Sequence, residues 1–134
     1  MRIKAFVDTN IVIDLIENRD FERSSIATLF SKAENKEIDL FVSETVIVNS
    51  LYITNLSEQL LLLLKIVDVI FINTTALNLG LSGNYKDKED AILYFGALQN
   101  KLDYFITRNK KDFASFALPN MPVLSAKEFL KKCT

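Results

Sequence analysis

The 134-residue sequence has no histidine and a single cysteine, Cys133, beside its end. Without histidine there is no Ser-His-Asp or Cys-His nucleophilic site and no His-ligated metal centre. One cysteine makes neither an internal disulfide nor a thiolate zinc cluster, which fits a reducing, cytoplasmic compartment. Neither sign of charge is in excess, since sixteen Lys and Arg face seventeen Asp and Glu. No global field advertises nucleic-acid binding, so any such surface is a local patch. Long apolar runs are missing too. The run Leu60 to Leu64 is bounded by Gln59 and Lys65, far short of the roughly 20 apolar residues a bilayer span needs. The stretch after Arg2 and Lys4 is interrupted at Asp8, unlike a signal peptide. No linker, repeat or composition shift marks a second domain, so residues 1–134 are expected to share one core. Any chemistry falls to carboxylates, hydroxyls, lysines and a bound metal.

What the sequence does contain starts with Phe6-Val7-Asp8-Thr9-Asn10. Ile3, Ala5, Phe6 and Val7 read as a buried strand and Ile11 to Ile16 as a helix. Asp8 then stands at the carboxyl end of the first strand, where open α/β sheets bind ligands. A carboxylate there, with no Lys or Arg beside it, is costly to desolvate unless a cation, a proton or hydrogen-bond donors meet it. The simpler alternative is that Asp8 or Asn10 only caps the next helix. Ser24 to Asn35 reads as an amphipathic helix capped by Ser24. Ile38 to Val42 is a second strand, Ser43 opens a helix to about Asn55, and Val67 to Ile72 is a third strand. Between them, the Leu-rich segment reads as a buried or partner-facing helix. Thr74 or Thr75 caps the next helix, which is expected to fail around Gly80 to Gly83. Asn49, in the third helix, reads by itself as a surface amide or one satisfied by backbone.

The second chemically suggestive stretch is Tyr85-Lys86-Asp87-Lys88-Glu89-Asp90, running into Ala91-Ile92-Leu93. Acids suit the positive end of a helix, so capping by Asp87 with Glu89 and Asp90 behind it accounts for the stretch without any site. That helix ends near Lys101 and leads to a fourth strand, Tyr104 to Thr107, followed by Arg108, Asn109 and Asp112. Val123-Leu124 reads as an edge strand, and Ser125-Ala126-Lys127-Glu128 as a capping box opening a last helix. Strands alternating with helices give an α/β fold, a parallel sheet of four to five strands wrapped by helices. The ends of its first and fourth strands and the start of the Asp90 helix then meet at one edge, so Asp8, Glu89, Asp90 and Asp112 share a site. Those carboxylates cannot all stay ionised without positive charge, which a hard divalent cation such as Mg²⁺ or Mn²⁺ supplies. Arg108, Lys110 and Lys111, with Lys86 before the acids, either hold phosphates or are merely solvated. Tyr85 reads as packing rather than stacking on a base.

Four pieces come in an order that resembles the PIN-domain nucleases, which include VapC-type toxins. They are Val7-Asp8-Thr9-Asn10-Ile11-Val12, Val42-Ser43-Glu44-Thr45, Asp87-Lys88-Glu89-Asp90-Ala91-Ile92, and Ile106-Thr107-Arg108-Asn109 followed by Lys111-Asp112-Phe113. The resemblance covers almost the whole chain and implies a three-layer sandwich around a central, mainly parallel sheet. It implies a metal-dependent ribonuclease, the toxin of a type II toxin–antitoxin pair, with Mg²⁺ or Mn²⁺ as cofactor. Carried over position by position, Asp8 is the first acid, Asp90 the acid at the helix start and Thr107 the hydroxyl at the fourth strand's end. Glu89 joins them as a catalytic and metal-ligating acid, Asp112 as a further ligand, and Asn10, Asn49 and Asn109 in support. RNA is the expected substrate, an antitoxin protein the expected partner, and the apolar faces of the early helices offer surfaces for it or for a homodimer.

Two positions depart from the family pattern. Its usual acid in the third helix falls at Asn49, and the acid after Thr-Arg at Asn109. Two fewer formal charges weaken divalent binding, with the Asn carbonyls, Glu89 and Asp112 as compensation. The departures motivate a second reading, a degenerate PIN-like domain that binds RNA or protein without cutting. A haloacid-dehalogenase-like phosphatase also starts from a strand-end Asp but calls for a second Asp where Asn10 stands, and it ranks last.

Overall fold

The computed structural model describes residues 1–133. Five strands form one sheet, β1 (Lys4–Val7), β2 (Asp39–Ser43), β3 (Asp68–Ile70), β4 (Tyr104–Ile106) and β5 (Val123–Leu124), in the spatial order β3-β2-β1-β4-β5. Every pairing is parallel, with Phe6 opposite both Phe41 on β2 and Phe105 on β4. Parallel strands need crossovers, and among the described residues six helices lie in them, α1 (Thr9–Ile16), α2 (Arg23–Glu34), α3 (Glu44–Thr54), α4 (Ser57–Leu63), α5 (Thr74–Ser82) and α6 (Lys88–Gln99), while a seventh, α7 (Ala126–Cys133), follows β5. The expected α/β sandwich is what the chain forms.

Both faces of the sheet are covered, as a parallel sheet requires. Tyr104 and Phe105 are adjacent on β4 and point to opposite faces. Phe105 meets Tyr94 of α6, and Tyr104 meets Phe129 of α7, each at 5.6 Å between ring centroids. Phe6 stacks on Phe105 at 4.9 Å, and Tyr94, Phe95, Phe113 and Phe116 extend the aromatic cluster under the loop that follows β4. The Tyr94 hydroxyl donates to the Met121 carbonyl and accepts the Leu118 amide, both at 2.8 Å, so the ring is buried without an orphaned polar group. Tyr85 packs against Phe95 and Phe116 at the same cluster, as the sequence reading expects.

Several local expectations are corrected. α2 starts at Arg23 from a left-handed Glu22 (φ 45°), which makes no side-chain cap bond, rather than from Ser24. Asn73, not Thr74 or Thr75, caps α5, accepting the Ala76 amide at 2.9 Å. β3 ends at Ile70, two residues short of expectation, because the Ile72 amide donates to the Glu44 carboxylate on α3 instead of to a ladder. β4 likewise stops at Ile106. By contrast, α5 ends at Ser82 with Gly83 as its C-cap, within the expected Gly80 to Gly83 stretch, and Gly80 itself lies inside the helix where α5 and α6 touch. A Cβ at Gly80 would sit 2.3 Å from the Ile92 side chain and 2.9 Å from its backbone nitrogen. In the Leu-rich segment Leu60 and Leu63 are buried while Leu61, Leu62 and Leu64 face outward. Among the described residues no helix is long and apolar enough to cross a membrane.

Candidate active site

Strand order fixes where a ligand can sit. The chain runs outward from β1 to β2 and β3, then returns to place β4 on the other side of β1. The crevice at the carboxyl ends of β1 and β4 is therefore the topological switch point. Asp8 follows β1 directly, and its amide donates to the Ile106 carbonyl at 3.0 Å, carrying the β1–β4 pairing one residue further. Thr107 follows β4 and is held by its own amide, which donates to Leu124 on the β5 side at 2.9 Å. These backbone bonds bring together two side chains 99 positions apart, and the Thr107 hydroxyl donates to Asp8 Oδ2 at 2.9 Å. Asp8 Oδ1 accepts the Thr9 amide at 2.7 Å as the cap of α1, so capping and the buried acid are one residue.

The other wall is the start of α6. Asp87 caps that helix, accepting the Asp90 amide at 3.1 Å, and Glu89 and Asp90 fill the first turn. From α3, the Asn49 amide donates to Glu89 Oε1 at 2.9 Å. Asn49 is thus neither a plain surface amide nor one spent on backbone. Asp8, Asn10, Asn49, Asp87, Glu89 and Asp90 line one open cleft of about 360 Å³, together with Thr9, Tyr52 and Ile53. A larger hollow elsewhere, of about 630 Å³, also has three acids in its lining, Glu34, Asp39 and Asp68, but they are matched there by Arg2, Lys36 and Lys65.

Electrostatics single out two of these acids. Asp8 is almost fully buried. Burial outweighs its Thr107 and Thr9 hydrogen bonds and, with the nearby Glu89 and Asp87 charges, lifts its pKa to about 6. Asp90 is pushed to about 7 by burial and then by the charges of Asp8, Asp87, Asp112 and Glu89. Among the described residues none of these five acids forms an ion pair. The N-termini of α1 and α6 offset part of the charge. The rest calls for a proton or a cation.

The chemistry of the donor set fits a hard cation. All the polar groups are oxygen donors or amides, and Thr9 Oγ1 beside Asp8 is a buried oxygen with no hydrogen-bond partner among the described residues. No group of three acidic side chains among the described residues stands ready-made as a cage. Mg²⁺ does not need one, since it keeps several waters and is held by one or two carboxylates together with substrate phosphate.

The basic residues sit differently from the expected phosphate fringe. Arg108 turns to the buried Asp14, at 3.0 Å, and its guanidinium lies 4.2 Å from the centre of the Phe21 ring. Lys110 pairs with Glu128 at 2.9 Å, and Lys88 donates to the Leu81 and Gly83 carbonyls. Lys86 and Lys111 have no partner among the described residues. Asp112 lies on the single 3-10 turn Lys110–Phe113, near enough for its charge to act on Asp90. Asn109 reaches the site through its backbone, donating its amide to Thr107 Oγ1 at 3.2 Å. Two cleft residues escaped the sequence reading in this role. Asp87 reads from the sequence as a cap, and Tyr52 gives no signal because apolar residues surround it in α3.

A family model described as the PIN domain matches residues 4–111. None of the curated proteins compared matches the chain. Among solved structures, a toxin–antitoxin complex from Klebsiella pneumoniae is similar at 25% identity and TM-score 0.63, covering 87% of this chain and 94% of that one. VapBC2 from Rickettsia felis, bound to a DNA fragment from its promoter, is similar at 16% identity and TM-score 0.66, covering 90% and 97%. Mycobacterium tuberculosis VapC20, a sarcin-ricin loop cleaving toxin, is similar at 13% identity and TM-score 0.64, covering 85% and 96%.

Proposed function

Because the chain belongs to the PIN-domain family, we propose that it is a divalent-metal-dependent endoribonuclease, the toxin of a toxin–antitoxin pair acting in the cytoplasm. The observation that carries the reading is the pair Asp8 and Asp90 at the switch point, both driven toward protonation and neither met by a basic side chain. Asp8 and Asp90 would hold Mg²⁺ or Mn²⁺, with Glu89 and Asp112 available at the margin. Once bound, such a cation supplies positive charge for the in-line transition state and lowers the pKa of water.

The chain's own residues position and exchange protons around that centre. Thr107 and the Thr9 amide lock the Asp8 carboxylate in one orientation. Asn49 holds one oxygen of Glu89 and leaves the other without a partner among the described residues, free to accept a proton from attacking water. Asn10 contributes a neutral amide to the same wall. Hydrolysis of this kind needs no histidine, since a bound cation would lower the pKa of the attacking water.

The antitoxin assignment takes its support from the toxin–antitoxin complexes among the structural relatives. The outward leucines of α4, with Leu77 and Leu81 of α5, form unpartnered apolar surface that suits a partner chain or a homodimer. The second reading, a domain that binds without cutting, draws on Asn49, Asn109 and the lack of a ready-made three-acid cage among the described residues. Cleavage of mixed structured and unstructured RNAs separates the two. The ribonuclease reading predicts cutting with Mg²⁺ or Mn²⁺, none in chelator, and loss in Asp8→Asn and Asp90→Asn. Metal-independent cutting, or none with either cation, contradicts it.

A further inference from the structure

We propose that Tyr52 is a base-stacking platform at the mouth of the acid cleft, so that substrate enters as an unpaired strand with one base laid on the phenol ring. This rests on the ribonuclease reading above and adds the form of RNA that the site takes. Tyr52 stands three residues after Asn49 on α3, hence on the same helix face, and lines the cleft that holds Asp8 and Asp90. It is 90% exposed, whereas Tyr85, Tyr94 and Tyr104 all pack against other rings. Val48 and Ile53, each more than half exposed, widen the apolar surface around it.

Charge argues for a base as the occupant. A strand entering this cleft brings phosphates toward at least four acids, Asp8, Asp87, Glu89 and Asp90. The cations nearest in sequence are mostly committed, Arg108 to Asp14, Lys110 to Glu128 and Lys88 to backbone carbonyls. With Lys86 and Lys111 left, phosphate contacts alone give little hold, and stacking on an exposed ring is the sequence-tolerant alternative. A duplex keeps its bases paired and stacked inward, so only an unpaired nucleotide can lie on Tyr52. Binding should then depend weakly on salt, with a log–log slope no steeper than about −1.4 for two neutralised phosphates on a single strand.

The chain has no tryptophan, so Tyr52→Trp places its sole indole at the cleft. Its fluorescence is read on the full chain in chelator, where cleavage does not intrude. An unstructured RNA of about ten nucleotides is expected to quench it saturably, while a duplex and an abasic strand of the same length do not. Equal quenching by the abasic strand, or none by any RNA, overturns the proposal. Kinetics with divalent cation give a second readout. Tyr52→Ala should raise KM on unstructured RNA about tenfold while kcat falls less than about threefold, and Tyr52→Phe should restore KM. An unchanged KM in Tyr52→Ala overturns the proposal and assigns the ring to a protein contact instead. The ribonuclease reading fails separately, if the wild-type chain cuts nothing with any divalent cation while the indole is still quenched by unpaired RNA.

Discussion

Burial lifts the Asp8 carboxyl to a pKa of about 6 from 3.8, against the pull of the Thr107 hydroxyl and the Thr9 amide. The folded chain therefore binds this proton more tightly than the unfolded chain does. Its contribution is neutral below about pH 4 and becomes a growing loss of stability as pH rises toward 6. A shift of about two units corresponds to about 3 kcal/mol. Asp8→Asn removes the charge and keeps the hydrogen-bond geometry, since Asn accepts the Thr9 amide and donates to Thr107. In chelator at pH 7 the variant is expected to be more stable than the parent by up to about 3 kcal/mol, with the difference vanishing near pH 4. Urea unfolding at the two pH values checks this, and a variant less stable at pH 7 would contradict it. Asn49 works one step further out, through Glu89. Asn49→Ala should leave stability within about 0.5 kcal/mol, because the bond is exposed, yet lower cleavage by roughly 10–100-fold, as loss of an orienting partner does. Parallel melting and initial-rate measurements decide it, and an undiminished rate would remove Glu89 from the mechanism.

The same pattern of one residue serving two elements recurs where helices meet strands. From its place beside Thr107, Arg108 reads as a phosphate contact or a solvated side chain, but the partner that claims it, Asp14, lies 94 positions earlier on α1. Nothing local in the sequence announces that pair. Asp14 is buried and its pKa is raised by burial despite Arg108 and Arg19, so removal of its nearer cation is costly. Arg108→Met is predicted to destabilise the fold by about 1–3 kcal/mol without changing the salt slope of RNA binding. A slope shallower by about 0.7 with unaltered stability would return Arg108 to the phosphate fringe. Gly80→Ala should cost about 1–3 kcal/mol, since the added Cβ meets the Ile92 backbone and α5 must shift off α6. Thermal unfolding reads this directly, and an unshifted midpoint would contradict it. Legibility followed how local each cause was. β1, β2 and the α6 start were readable from apolar runs and the Asp87 cap. The end of β3 was not, because Glu44 on α3 takes the Ile72 amide. Tyr52 was hidden for a related reason, as α3 is apolar on most sides and its sequence does not say which face stays open.

Across the whole chain, near-neutral net charge conceals a separation of roles. Five acids crowd the carboxyl edge of the sheet, while most neighbouring cations are tied to partners within the fold. The family resemblance placed Asp8, Asp90 and Thr107 by order along the chain. Parallel pairing of β1 with β4 explains why Asp8 and Thr107 touch. A cation that binds such a cleft binds the folded state alone and raises its stability by mass action. Protons compete with it for Asp8 and Asp90, whose pKa values lie at about 6 and about 7. The melting temperature of the full chain, with Mg²⁺ or chelator, from pH 5 to pH 8, tests this at its root. The rise produced by Mg²⁺ is predicted to be small at pH 5, to grow through pH 6–7, and to be absent in an Asp8→Asn, Asp90→Asn double variant. A rise that ignores pH, or one that survives in the double variant, would place the cation elsewhere and contradict the assignment of this cleft.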